Sequence, residues 1–132
     1  MLEEQKELVQ YRITAAKERA EVAKLLLDTE NYKDAISKTY YAMFTAVRAI
    51  LASVSVDFSK HSSVIAYFQR EYIKTGIFDK RYSKYLTKAF QVRNSSDYDD
   101  FYIASKEEAE IQYSRMMELI TAIENYLNEI IS

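Results

Sequence analysis

The stretch SKEEAEIQYSRMMELITAIENYLNEI, residues 105–130, decides the fold class. Within it Ala109, Tyr113, Met116, Ile120, Ile123, Leu127 and Ile130 recur at alternating steps of four and three. That spacing lays them along one stripe of an α-helix, in the manner of an a/d seam. Ser105, with Glu108 three residues on, forms a capping box and marks where the helix opens.

Working upstream, the same period continues. Leu8, Ile13, Ala16, Ala20, Ala23 and Leu27 predict a first helix from about Glu3 to Thr29. Its small alanines predict close approach of a neighbouring helix. Asn31 reads as the N-cap of a second helix from Tyr32 to Val54. The inward face of that helix is Ala35 or Ile36, Thr39, Tyr40, Met43, Val47, Ile50, Leu51 and Val54. Ser59 reads as the cap of a third helix over Lys60–Lys74, with Val64, Ile65, Phe68 and Tyr72 inward. Gly76 falls just past its end, where a left-handed residue is wanted. A fourth helix is predicted from about Asp79 to Asn94, followed by the polar stretch Ser95–Asp100. No repeat, linker or boundary interrupts the pattern. The whole of 1–132 therefore reads as a single all-α domain, an antiparallel up-and-down helical bundle of about five helices.

Composition narrows the function classes. The 132 residues contain no cysteine, no proline, one glycine and one histidine, His61. Disulfides, thiolate chemistry and a two-histidine metal site within one subunit are excluded. One glycine cannot build a phosphate loop of the GxxxxGK[ST] or GxGxxG kind. Eighteen basic residues against twenty acidic ones give a net charge of −2, which is not the footprint of a duplex-DNA binder. No apolar run approaches a membrane span, and the charged start Met1–Lys6 lacks a signal-peptide apolar region, so the expected location is the cytoplasm. Neither a cofactor nor a metal is expected. Asp97, Asp99 and Asp100 offer carboxylates alone, at most a weak magnesium site.

Three groups of residues can carry chemistry. His61 opens a short helix; it is either a general base or phosphate contact, or a helix-start residue bonded to a neighbouring loop. Tyr40-Tyr41-Ala42-Met43-Phe44 is an aromatic cluster whose Tyr40 and Met43 read as core. Tyr41 points about 100° away from Tyr40, a direction open to a subunit interface. Arg93-Asn94-Ser95-Ser96-Asp97-Tyr98 is the strongest candidate. Arg93 offers a planar donor fork suited to phosphate, or pairs with Asp97 in a structural salt bridge.

Taken in order, Tyr40-Tyr41-Ala42-Met43-Phe44, Lys60-His61-Ser62-Ser63-Val64-Ile65, Lys74-Thr75-Gly76 and Arg93-Asn94-Ser95-Ser96-Asp97-Tyr98 resemble the HEPN (higher eukaryotes and prokaryotes nucleotide-binding) domain. The resemblance is strongest to its small stand-alone prokaryotic branch with an R-x-x-x-D-Y motif, and covers about residues 6–128. It implies an up-and-down bundle, a homodimer, and pairing with a minimal nucleotidyltransferase in a toxin–antitoxin couple. Active members of the family are metal-independent endoribonucleases. They use an arginine, four to six residues, then a histidine, supplied by both subunits at the dimer interface. Arg93 matches the arginine, but Tyr98 stands where the histidine belongs. Tyrosine is a poor base at neutral pH. The resemblance therefore implies a nucleotide- or RNA-binding module with Arg93, Asn94, Asp97 and Tyr98 in the site. The alternative is an endoribonuclease toxin using Arg93 and Tyr98. A third reading is a structural dimer in which the motif only ties helices together.

Overall fold

A computed structural model describes residues 1–131 of the chain. These form α1 (Glu3–Asp28), α2 (Tyr32–Ser53), α3 (His61–Phe68) running into a π-turn (Gln69–Ile73), α4 (Lys80–Tyr98) and α5 (Lys106–Ile131). At 26 residues each, α1 and α5 are about 39 Å long. Gln5 at the start of α1 donates to the Ser53 carbonyl at the end of α2, so these two helices run antiparallel. Lys17 pairs with Glu124, and the Lys24 ammonium lies 5.7 Å from the Tyr113 ring centre, so α1 and α5 also run antiparallel. The architecture is the expected all-α bundle.

Burial follows the sequence period. On α1 the buried residues are Val9, Ile13, Ala16, Ala20 and Ala23. On α2 Ala42, Ala46 and Ala49 are wholly buried too. Alanines on both helices allow the two backbones to approach closely, which longer side chains would prevent. Tyr40, Met43, Ile50, Leu86, Met116, Leu119 and Ile123 fill the rest of the core. Each large side chain of this kind contributes roughly 1.5–3 kcal/mol by leaving water.

The structure differs from the sequence reading at several places, Val54 among them: predicted inward, it lies just past the end of α2 and is 43% exposed. Val9 replaces Leu8 in the α1 stripe, and Leu8 is 42% exposed. Asn31 holds the N-cap position but caps nothing; its amide donates back to the Thr29 carbonyl and hydroxyl. Lys60, not Ser59, precedes the third helix. That helix is α-helical only to Phe68. Beyond it, the Lys74 N–H bonds the Gln69 carbonyl, five residues back, in a π-turn. The fourth helix does not stop at Asn94. It runs through the polar stretch to Tyr98, because Val92 and Ser96 are buried and carry the inward face one turn further. Gly76 does sit just past the turn at φ +83°, and its N–H donates to the Ile73 carbonyl. Ser105 caps α5 as expected, its hydroxyl accepting the Glu108 N–H at 3.1 Å. The described helices include none long and apolar enough to cross a membrane.

Candidate functional site

The extension of α4 changes the meaning of Arg93. It lies more than a turn inside the helix, not at the C-terminal end where the carbonyl dipole would favour a cation. From there the guanidinium reaches across to α2. Nη2 donates to the Tyr41 hydroxyl at 2.6 Å, and Nη1 donates to Asn94 Oδ1 at 3.1 Å. Nε lies 2.9 Å from Asp97 Oδ2, a helical i,i+4 ion pair. The approach is too bent for a hydrogen bond, and Nε is a buried donor with no other partner. Only 13% of the Arg93 side chain is exposed. Its Cζ lies 5.0 Å from the Tyr41 ring centre, 5.4 Å from Tyr98 and 5.8 Å from Tyr40. Contacts of this kind contribute about 0.5–2 kcal/mol each, more where water is excluded.

Arg93, Asn94, Asp97 and Tyr98 therefore do come together on one stretch of helix. Both sequence readings of Arg93 find a counterpart here: the Asp97 pair exists, and the guanidinium uses only part of its donor set. Tyr98 is 73% exposed, and its hydroxyl makes no hydrogen bond among the described residues. Its ring sits beside the guanidinium, open to stack on a planar ligand. Asp99 does not join a carboxylate cluster; its Oδ1 accepts the Phe101 N–H. Among the described residues no group of three histidine, aspartate or glutamate side chains could hold a metal ion.

The sequence reading gave Tyr41 a direction open to a subunit interface, and His61 either a role as base or phosphate contact or a bond to a neighbouring loop. Both residues belong to the Arg93 neighbourhood. Tyr41 is the partner of Arg93, and its ring meets the His61 ring edge-on at 6.0 Å. His61 bonds a helix rather than a loop. Its Nδ1 lies 2.9 Å from the Tyr40 hydroxyl, and its ring stacks on Phe44 at 4.1 Å. Burial, followed by the positive charges of Arg93 and Arg48, holds the imidazole below its ordinary pKa. Burial likewise pushes the Tyr40 phenol well above its usual range, so it stays neutral. One clue to this arrangement was present in the sequence. A buried Tyr40 hydroxyl needs a partner, and the lone histidine follows on the next helix.

A second basic cluster adjoins the first. Arg48 Nη2 donates to Asp57 Oδ2 at 2.8 Å, and Arg12 Nη2 donates to the same oxygen at 3.1 Å. Arg12 Nη1 also bonds the Arg48 carbonyl. Burial opposes ionisation of Asp57. The hydrogen bond from Arg48, with the Phe58 N–H and both arginine charges, outweighs it and keeps the carboxyl below its usual pKa. Arg48 Nε is buried without a partner. The face formed by α2, α3 and α4 thus carries two arginines, one neutral imidazole and a set of aromatic rings.

Comparison with known proteins points to one family. Residues 9–126 match the HEPN domain. A "UPF0332 protein" of Thermotoga maritima is 32% identical over 129 residues, which is 98% of each chain. "Putative toxin MJ0142" of Methanocaldococcus jannaschii is 37% identical over 98 residues, 74% of this chain and 67% of that one. "Putative toxin MJ0605" of the same organism is 29% identical over 126 residues, 96% of this chain and 93% of the other.

Proposed function

The chain belongs to the HEPN domain family, and from that premise we propose that it is a toxin-like module binding RNA or a nucleotide through Arg93, Asn94, Asp97 and Tyr98. One observation carries the reading: an exposed tyrosine ring lies 5.4 Å from a guanidinium whose remaining N–H groups are unspent. The ring offers a base a stacking surface, and the guanidinium offers the adjoining phosphate a charged donor. Asn94 and Asp97 orient that donor. In a homodimer the site would be doubled, and the partner in the couple would be a minimal nucleotidyltransferase. Two facing arginines would repel, and the Asp97 paired with each would temper that. Binding should weaken steeply with salt, since phosphate supplies most of the attraction.

The test is titration of a short oligoribonucleotide and of ATP. Tyr98→Ala is the first variant, because an exposed side chain can be removed without disturbing the core. It should lower affinity about tenfold or more, the scale of one lost base stack. Arg93→Ala should lower it further, with folding checked by circular dichroism. Unchanged affinity in folded variants would leave only the helix-tying role.

A metal-independent endoribonuclease using Arg93 and Tyr98 is the second reading. One observation favours it: an imidazole, that of His61, stands in the aromatic cluster that holds Arg93, although it comes from α3. Cleavage of RNA in the presence of EDTA, lost in Arg93→Ala, would establish it.

A further inference from the structure

We propose that His61 is the second cation of the Arg93 site, taking up a proton when a phosphodiester binds and releasing it when the ligand leaves. The proposal rests on the binding reading above and adds the proton coupling to it.

The geometry supports it in three ways. First, His61 and Arg93 share neighbours. Arg93 lies against the rings of Tyr40 and Tyr41, and His61 bonds the Tyr40 hydroxyl and meets the Tyr41 ring. Second, one edge of the imidazole is fixed and the other is free. Nδ1 is tied to Tyr40. Nε2 makes no hydrogen bond among the described residues, and the ring is only partly buried. Third, the Tyr40 hydroxyl supports both protonation states. A hydroxyl can donate to a bare Nδ1 or accept from a protonated one, so the ring need not move on taking a proton. Phe44, stacked at 4.1 Å, gives the charged ring an aromatic face to lie on.

The charges around the ring set the direction of the coupling. From α2 it feels Arg48, and from α4 it feels Arg93; both oppose a further positive charge. Lys60 adjoins it in sequence. The nearby carboxylates are already committed, Asp57 to Arg12 and Arg48, and Asp97 to Arg93. In the free protein the imidazole is therefore neutral near pH 7. A phosphodiester brought in by Arg93 supplies the missing negative charge and reverses the balance. By linkage, a ligand that favours the protonated form binds more tightly as pH falls.

Because His61 is the only histidine, its ring protons give an isolated NMR signal. The probe is a 2′-O-methylated oligouridylate, which cannot be cleaved through its 2′ oxygen and carries no group titrating in the range used. The imidazole signal should titrate at higher pH in the complex than in the free protein. Affinity should rise severalfold from roughly pH 8 to roughly pH 5.5, approaching about tenfold as the limit for one proton taken up with a one-unit shift. His61→Asn keeps a group able to bond Tyr40 but cannot take the proton. It should bind with a flat pH profile, at the weak affinity of the wild type at high pH. Wild type and His61→Asn sharing one pH profile, or an imidazole titration unmoved by saturating oligonucleotide, would overturn the proposal while leaving the binding reading intact. Absence of binding at every pH would overturn both.

Discussion

Replacing Tyr40 by phenylalanine deletes one buried oxygen and nothing else. The ring keeps its contacts with Phe44 at 5.8 Å and Phe90 at 5.6 Å, so no packing is lost. What goes is the 2.9 Å bond to His61 Nδ1. A neutral hydrogen bond of this kind contributes about 0.5–1.5 kcal/mol net, and the half-exposed imidazole can recruit water in its place. Tyr40→Phe should therefore cost about 1 kcal/mol. Unfolding entropy of about 2.1 cal/mol/K per residue turns that into a fall of roughly 3–4 °C in Tm for a chain of this length. The decisive measurement is a double-mutant cycle by urea denaturation at roughly pH 8, where the imidazole is neutral. In a His61→Ala background the Tyr40 hydroxyl has lost that acceptor, and removing it should then cost little. The coupling energy should thus reach about 1 kcal/mol. An equal cost for Tyr40→Phe in both backgrounds would refute the bond, and with it the argument that Tyr40 fixes the imidazole.

Three other outcomes are expected. Ser96 is wholly buried on α4 with a hydroxyl that has no partner, so Ser96→Ala should stabilise the protein by about 1 kcal/mol, seen as a raised urea midpoint. Gly76 adopts φ +83° with nothing within 4 Å of an added Cβ; Gly76→Ala should lose about 1 kcal/mol through backbone strain alone, read as a lower Tm with native circular dichroism. The folded state holds the His61 pKa below its unfolded value, so the unfolded chain binds that proton more readily. Stability from this source is complete above about pH 6.5 and is lost as pH falls through it, and Tm measured down to about pH 5.5 should drop further in wild type than in His61→Asn.

Helix periods were easy to read in this chain because apolar positions are rigidly spaced by the 3.6-residue turn. The α5 seam shows it best: Ala109, Met116, Ile120, Ile123 and Leu127 are all buried. Its outer end is not: Ile130 is 41% exposed, while Ile131 beside it packs against the core instead. Boundaries were harder. The polar run after Asn94 looks like a loop by composition, yet polar residues can continue a helix on its solvent face while Val92 and Ser96 face inward. The motif around Arg93 could be picked out, since its residues lie within two helical turns of one another. Its link to Tyr41 could not, because no local rule joins residues on separate helices. The same applies to His61, whose three aromatic neighbours all lie on α2. Periodicity shows which side of a helix faces inward, but not which partner it meets there.

The Arg93–Tyr41 bond spans 52 positions of the chain. At about 5–20 residues per second, a ribosome delivers the arginine roughly 3–10 s after the tyrosine. During that interval α1 and α2, joined by only three residues, can already pair as a hairpin. The half-made cluster then holds Tyr40, Tyr41, Phe44 and later His61, but no guanidinium. Any activity of this face must wait until α4 has emerged and docked. On the proposed reading a nascent chain lacks the complete site until then, and one truncated before Arg93 never gains it.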